Sequence, residues 1–138
     1  MSDRVLVDTG PLVAIFSARD ASHKACVTQL AALARPMLTC WPVVTEALWM
    51  LRGRPDAARR LLGSFEVDGL LRFVPLNESD LPGIARILAV YANISPQLAD
   101  AALVHLAERE GLNTIFTLDR RDFTVYRLSR NRSLRLIP

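Results

Sequence analysis

The chain has 138 residues, 51% of them apolar and 22% charged, which supplies the core of one domain and argues against disorder. Its 17 basic and 14 acidic side chains leave a modest net charge of +3. The longest apolar stretches, such as residues 12–16, are too short to span a bilayer, and Asp8, Gly10 and Pro11 interrupt the one candidate secretory segment, so a cytoplasmic chain with no membrane partner is expected.

Residues 4–8 form a β-branched run ending in an acid, and the turn signals Gly10 and Pro11 follow, so a buried strand feeding a helix over 12–18 is predicted. Apolar residues at Ala25, Cys26, Leu30 and Leu33 recur at helical spacing over 21–35, and Pro36 stops that helix. Residues 37–40 read as a second short strand. Pro42 suits the first turn of a helix running to about Arg52. Another helix over 56–65 ends near Asp68-Gly69. Residues 70–75 read as a strand, and Ser79 or Asp80 can cap a helix to about Asn93. Ser95-Pro96 opens a further helix, which Gly111 closes. Residues 114–118 form the next strand, and 134–137 a final edge strand. Alternating strands and helices predict a three-layer α/β/α sandwich around a central parallel sheet of about five strands, with no linker dividing residues 1–138.

The charge is unevenly spread. Residues 120–138 hold six arginines against one acid, Asp122, whereas the preceding 119 residues carry a net −2. Arginine forks suit phosphates, so this tail is a candidate contact for nucleic acid or an acidic partner, with a solvated surface as the plainer alternative. Arg120 and Arg121, next to Asp119, are the candidate RNA-binding pair. Cys26 and Cys40 have neither metal-ligand nor redox-motif spacing, which fits reduced thiols.

Four acids stand out. Asp8 and Asp119 follow strands, while Glu46 and Asp100 lie four residues after Pro42 and Pro96, one turn into their helices. In a parallel sheet all four reach the rim beyond the carboxyl ends of the strands, where ligands collect. Each has an ordinary alternative as a cap, turn or solvated residue. Glu46 and Asp100 nevertheless sit inside apolar segments, where an unpaired acid is costly unless it faces a site. Converging carboxylates resist joint ionisation, so either some protonate or cations neutralise them. Oxygen ligands without nearby histidine or cysteine select Mg²⁺ or Mn²⁺, the chemistry of a metal-dependent nuclease.

Other readings fit less well. There is no glycine-lysine phosphate loop and no dinucleotide fingerprint, and Gly10 stands where a haloacid-dehalogenase-like site needs a second aspartate. His23 and His105 stand alone as packing or surface residues. Trp41 and Trp49 flank Glu46 and are expected in the core rather than as base-stacking platforms.

At these residues the sequence resembles the PIN-domain (PilT N-terminal-like) family, and within it the VapC-type toxins. The likeness runs through Val7-Asp8-Thr9-Gly10-Pro11-Leu12, Thr45-Glu46-Ala47, Ala99-Asp100-Ala101-Ala102-Leu103 and Thr117-Leu118-Asp119-Arg120-Arg121-Asp122-Phe123, covering essentially the whole chain. The resemblance implies a parallel sheet, Mg²⁺- or Mn²⁺-dependent endoribonuclease activity, frequent homodimers and neutralisation by a cognate antitoxin. Asp8, Glu46, Asp100 and Asp119 match its acidic quartet, and Thr9 and Thr117 match positions whose hydroxyls support the site. Asp122 is a fifth acid whose role as ligand, supporting group or arginine partner stays open.

The expected function is thus a metal-dependent endoribonuclease, the toxin of a toxin–antitoxin pair. Asp8, Asp100 and Asp119 would hold metal, and Glu46 would bind metal or orient the attacking water. The alternative is a non-catalytic RNA- or partner-binding module that retains the fold.

Overall fold

The computed structural model describes residues 4–66 and 69–138. Strand β1 (Leu6–Val7), both residues buried, leads directly into α1 (Thr9–Phe16) and then α2 (His23–Ala31). Next come β2 (Met37–Thr39), α3 (Trp41–Met50), α4 (Pro55–Gly63) and β3 (Leu71–Phe73). Helices α5 (Leu81–Val90) and α6 (Leu98–Glu110) precede β4 (Thr114–Phe116). The chain ends in α7 (Arg120–Phe123), β5 (Arg127–Leu128), β6 (Arg132–Ser133) and β7 (Arg135–Ile137).

Five strands form one sheet in the order β3-β2-β1-β4-β7, with every pairing parallel. Helices flank this sheet, α1 packing on α2, α3 and α4, and α6 on α5 and α3. This is the expected α/β/α architecture, with β7 at one edge. Its inner strands β1, β2 and β4 are short and largely buried, as crossover helices on both faces require of a parallel sheet, whereas the edge strands β3 and β7 expose Arg72 and Arg135. Leu6, fully buried, pairs with Leu38 on one side and Ile115 on the other. Truncating such a side chain to alanine costs about 2–5 kcal/mol. After β1 the chain winds first towards β2 and β3, and later to β4 and β7 on the opposite side. The strand order therefore reverses at β1/β4, which opens a crevice at their carboxyl ends.

Local differences from the sequence reading have physical causes. Helix α1 begins at Thr9 rather than Leu12, with Gly10 and Pro11 inside its first turn, where a proline loses no hydrogen bond. There a Cβ on Gly10 would lie 3.4 Å from Leu118, so the glycine lets α1 approach the segment after β4. Helix α6 begins at Leu98, not at Pro96, because Ser95 turns left-handed (φ 49°) and Gln97 is extended. Its end is as expected: Gly111 takes φ 68° and closes it. Asp80, one of the two caps expected, is the N-cap residue of α5, and Asn77 caps the single 3₁₀ turn (Glu78–Asp80) ahead of it. The Asn77 side chain receives the Asp80 backbone N–H while Asp80 Oδ2 accepts the Asn77 N–H at 2.9 Å. The β5–β6 antiparallel pair escaped the sequence reading because each strand is two residues long. The predicted end of α4 at Asp68 lies outside the described residues, and its neighbour Gly69 takes φ 60°.

Buried Asp80 also accepts from His105 Nε2 and Arg109 Nη1, each at 2.8 Å, and Arg109 Nη2 donates to the Pro75 carbonyl. This ties α5 to α6, so His105 is a packing residue as expected. Cys26 and Cys40 are buried free thiols. Among the described residues no helix is long and apolar enough to cross a membrane.

Candidate active site

Asp8 follows β1 and Asp119 follows β4 by three residues, so the two central strands deliver both acids to the crevice. Thr117 joins them. Its hydroxyl donates to Asp8 Oδ2 at 2.8 Å and accepts the Asp119 backbone N–H at 2.9 Å. Asp119 in turn caps α7 by accepting the Asp122 N–H on Oδ1 at 3.1 Å. That cap turns Asp122 back towards the crevice.

Asp100 lies in the first turn of α6, and the Tyr126 hydroxyl donates to its Oδ2 at 3.2 Å. Tyr126 is fully buried, with its ring edge-on to Tyr91 (4.9 Å) and Phe123 (5.2 Å). That aromatic wedge seats α7 beside α6. Carboxylate oxygens of Asp100, Asp119 and Asp122 come within 4.8 Å of one another. Glu46 reaches the same cavity from α3. There the Gln97 side-chain amide, oriented with its nitrogen towards Glu46, donates to both carboxylate oxygens at 3.0 and 3.1 Å.

These elements enclose a cavity of about 560 Å³ lined by Asp8, Glu46, Asp100, Asp119 and Asp122, with Thr9 and Gly10 at its wall. The Thr9 hydroxyl donates to the Val43 carbonyl at 3.4 Å, so it braces α1 against α3 rather than an acid. All four acids singled out in the sequence, together with Asp122, thus share one cavity, and Thr117 touches two of them. No lysine or arginine lines it among the described residues.

The electrostatic consequence follows. Burial pushes the Asp8 carboxyl up to about 6, with the Glu46 and Asp119 charges adding to the effect and the Thr9 backbone and Thr117 hydroxyl opposing it. Burial, then the Asp8 charge, pushes Asp100 up to about 7, against the Tyr126 hydrogen bond. The Tyr126 phenol is itself raised far above its ordinary value by burial and the Asp100 charge, so it stays a donor. The donor set is all oxygen, its charge is uncompensated, and three carboxylates converge on one point. Such a set fits a hard divalent cation and not zinc.

The sequence reading missed Tyr126 and Gln97. Gln97 precedes the helix that carries Asp100 but makes no cap bond to it, and nothing in the sequence ties its amide to Glu46. Nothing in the spacing of Tyr126, 26 residues from its partner, announces its contact. Arg120 and Arg121 are exposed on α7 and do not line the cavity. Arg120 Nη1 donates to the Pro138 carbonyl at 2.9 Å. Trp41 and Trp49 are not in the core as expected, being 60% and 64% exposed.

The family model for the PIN domain matches residues 5–128. Ribonuclease VapC26 of Mycobacterium tuberculosis is 30% identical over 124 residues, covering 89% of this chain and 92% of that protein. The crystal structure of VapC20 of Mycobacterium tuberculosis, a sarcin–ricin loop cleaving toxin, superposes with a TM-score of 0.75 at 18% identity. That match covers 85% of this chain and 91% of the other.

Proposed function

The chain belongs to the PIN domain family, and from that premise we propose that it is a divalent-metal-dependent endoribonuclease, the toxin half of a toxin–antitoxin pair. In this reading residues 1–138 work as one PIN-like domain in the cytoplasm, as a homodimer held in check by a cognate antitoxin protein. The observation that carries the proposal is the cavity of five carboxylates, with no basic residue lining it among the described residues. Its relatives point the same way: VapC26 is a ribonuclease, and VapC20 cleaves the sarcin–ricin loop.

Asp8, Asp100 and Asp119 would hold Mg²⁺ or Mn²⁺, with Asp122 completing the converging triad and Glu46 binding metal or orienting water. Held by these residues, the cation would supply Lewis-acid chemistry at the scissile phosphodiester and at the attacking water. The protein's own part is to aim the carboxylates. Thr117 donates to Oδ2 of Asp8 and Tyr126 to Oδ2 of Asp100, which fixes the orientation of both carboxylates at the cavity. Gln97 donates to both oxygens of Glu46 and so holds that carboxylate at the cavity. Arg120 and Arg121, at the head of α7, supply positive charge beside the acids for flanking phosphates. These fixed partners raise the precision of the site, and losing one typically costs 10–100-fold in metal affinity or activity.

The test is cleavage of a ribosomal RNA substrate with Mg²⁺, with Mn²⁺ and with EDTA, by wild-type protein and by Asp119→Asn. Cleavage that needs the metal and disappears in the variant supports the proposal. RNA binding that is indifferent to metal, without strand scission, would make the chain a binding module.

A further inference from the structure

We propose that the basic pocket where the α1–α2 turn meets the start of α4 is a second contact for RNA, holding a backbone phosphate of the strand whose scissile phosphate lies at the carboxylates. The proposal rests on the ribonuclease reading and adds to it where the substrate is gripped. The pocket, about 360 Å³, has Ser17, Arg19, Gly53, Arg54, Asp56 and Arg60 in its lining. Its charge is one-sided. Asp56 is engaged at 2.9 Å by Arg59, which lies outside the pocket. Arg19, Arg54 and Arg60 form no ion pair among the described residues. Arg54 Nη1 donates to the hydroxyl of buried Ser17, and Arg60 Nη2 to the Phe16 carbonyl at 3.1 Å. Neutral acceptors at the end of α1 thus anchor both side chains without offsetting their charge. Like charges gathered around one hollow repel one another, and an anion seated between them relieves that cost. Planar guanidinium forks match the paired oxygens of a phosphate.

Two elements join this pocket to the acidic cavity. Met50, the last residue of α3, lines the cavity, and Gly53, just beyond it, lines the basic pocket. The chain there closes in a turn, with the Arg54 N–H donating to the Leu51 carbonyl at 2.8 Å, so Leu51 and Arg54 lie within about 7 Å of each other. Helix α1 likewise carries Gly10 in the wall of the cavity and Phe16 in the wall of the pocket. Those two residues are roughly 9 Å apart at the helical rise of about 1.5 Å per residue. A strand held at the carboxylates meets no basic residue in the cavity among the described residues, so cations just outside it have to supply the attraction. An acidic peptide would satisfy the arginines alone, whereas an RNA strand also uses the neighbouring cavity.

The experiment measures binding of a labelled single-stranded oligoribonucleotide by anisotropy across a salt series, in Ca²⁺ to suppress cleavage. Arg19→Ala is the main variant, because Arg19 is exposed and does not tie α1 to α4 as Arg54 and Arg60 do. It should lower the slope of log affinity against log salt by about 0.7, which near 0.1 M salt is roughly a fivefold loss of affinity. Arg59→Ala removes the same charge from the same helix as Arg60 but outside the pocket, and should leave affinity and slope as in the wild type. Equal losses in Arg19→Ala and Arg59→Ala would reduce the effect to net charge and overturn the subsite. Wild-type affinity and slope in Arg19→Ala, with RNA still cut in Mg²⁺, would overturn it too and leave the nuclease reading intact. No RNA binding by the wild-type chain would sink both. A glutamate-rich peptide that binds the wild type but not Arg19→Ala, while RNA binds both alike, would assign the pocket to an acidic protein partner, which also overturns the proposal.

Discussion

Thr117 and Asp8, 109 residues apart in sequence, meet through a 2.8 Å hydrogen bond that locks the ends of the two central strands together at their acids. Because the same hydroxyl accepts the Asp119 N–H, one threonine fixes the carboxylate of Asp8 and the backbone of Asp119. Thr117→Val keeps the shape and removes the hydroxyl. It should cost about 1–3 kcal/mol by leaving buried polar groups unpaired, and about 10–100-fold in metal affinity. Thr117→Ser should restore most of both, as read by thermal melts and Mn²⁺ titration.

The raised carboxyls of Asp8 and Asp100 dictate how the metal-free protein responds to pH. The folded state retains protons that the unfolded chain loses near pH 4, so this stability is full below about pH 4. It is lost as the pH rises through about 6 for Asp8 and about 7 for Asp100. Metal-free melts should therefore be higher at pH 5 than at pH 8, by roughly 2–4 kcal/mol in unfolding free energy. Divalent cation should recover the loss at pH 8. Asp80 works in the opposite sense. Its hydrogen bonds to His105, Asn77 and Arg109 hold its carboxyl far below the usual range, so its contribution is lost only in acid. A flat profile between pH 5 and 8 would contradict the crowded-carboxylate account.

Asp100→Asn removes the like charge and keeps an oxygen for the Tyr126 hydroxyl. At pH 8 without metal the variant should melt several degrees above wild type, while cleavage is abolished. A lower melting temperature would make Asp100 a structural residue instead.

Tyr126→Phe preserves the edge-on packing against Tyr91 and Phe123 and deletes one hydroxyl. The fold should survive, and Mn²⁺ affinity should fall about tenfold as Asp100 loses its fixed orientation. Unchanged affinity would confine Tyr126 to packing.

If Arg120 and Arg121 engage phosphates, replacing both with alanine should weaken single-stranded RNA binding. The slope of log affinity against log salt should fall by about 0.7 for each phosphate that is no longer neutralised. Because Arg120 also holds the Pro138 carbonyl, Arg121 should carry the larger share. An unchanged slope would leave both as surface or partner-binding residues.

Much of the site was legible because its acids occupy positions where local sequence is informative. Asp8 ends a buried apolar run, and Glu46 and Asp100 interrupt apolar helices where solvent cannot justify them. The parallel sheet followed from strand–helix alternation. Tyr126 was hidden because its hydrogen bond crosses from the segment after α7 to α6, and a buried tyrosine looks like any core aromatic until its hydroxyl has a partner. The tryptophans were misjudged because α3 is apolar nearly all round, so periodicity shows that a face is greasy but not whether a neighbour covers it. Helix α7 spans four residues, too short for any period to register.

The central claim is that these carboxylates form one cation site, and calorimetric titration of Mn²⁺ tests it directly. At pH 6.5 wild-type protein should bind Mn²⁺ saturably with release of protons, because Asp8 and Asp100 begin partly protonated. Asp8→Asn, Asp100→Asn and Asp119→Asn should each weaken that binding at least tenfold. Binding that survives all three substitutions, or no binding to the wild-type chain, would contradict the account.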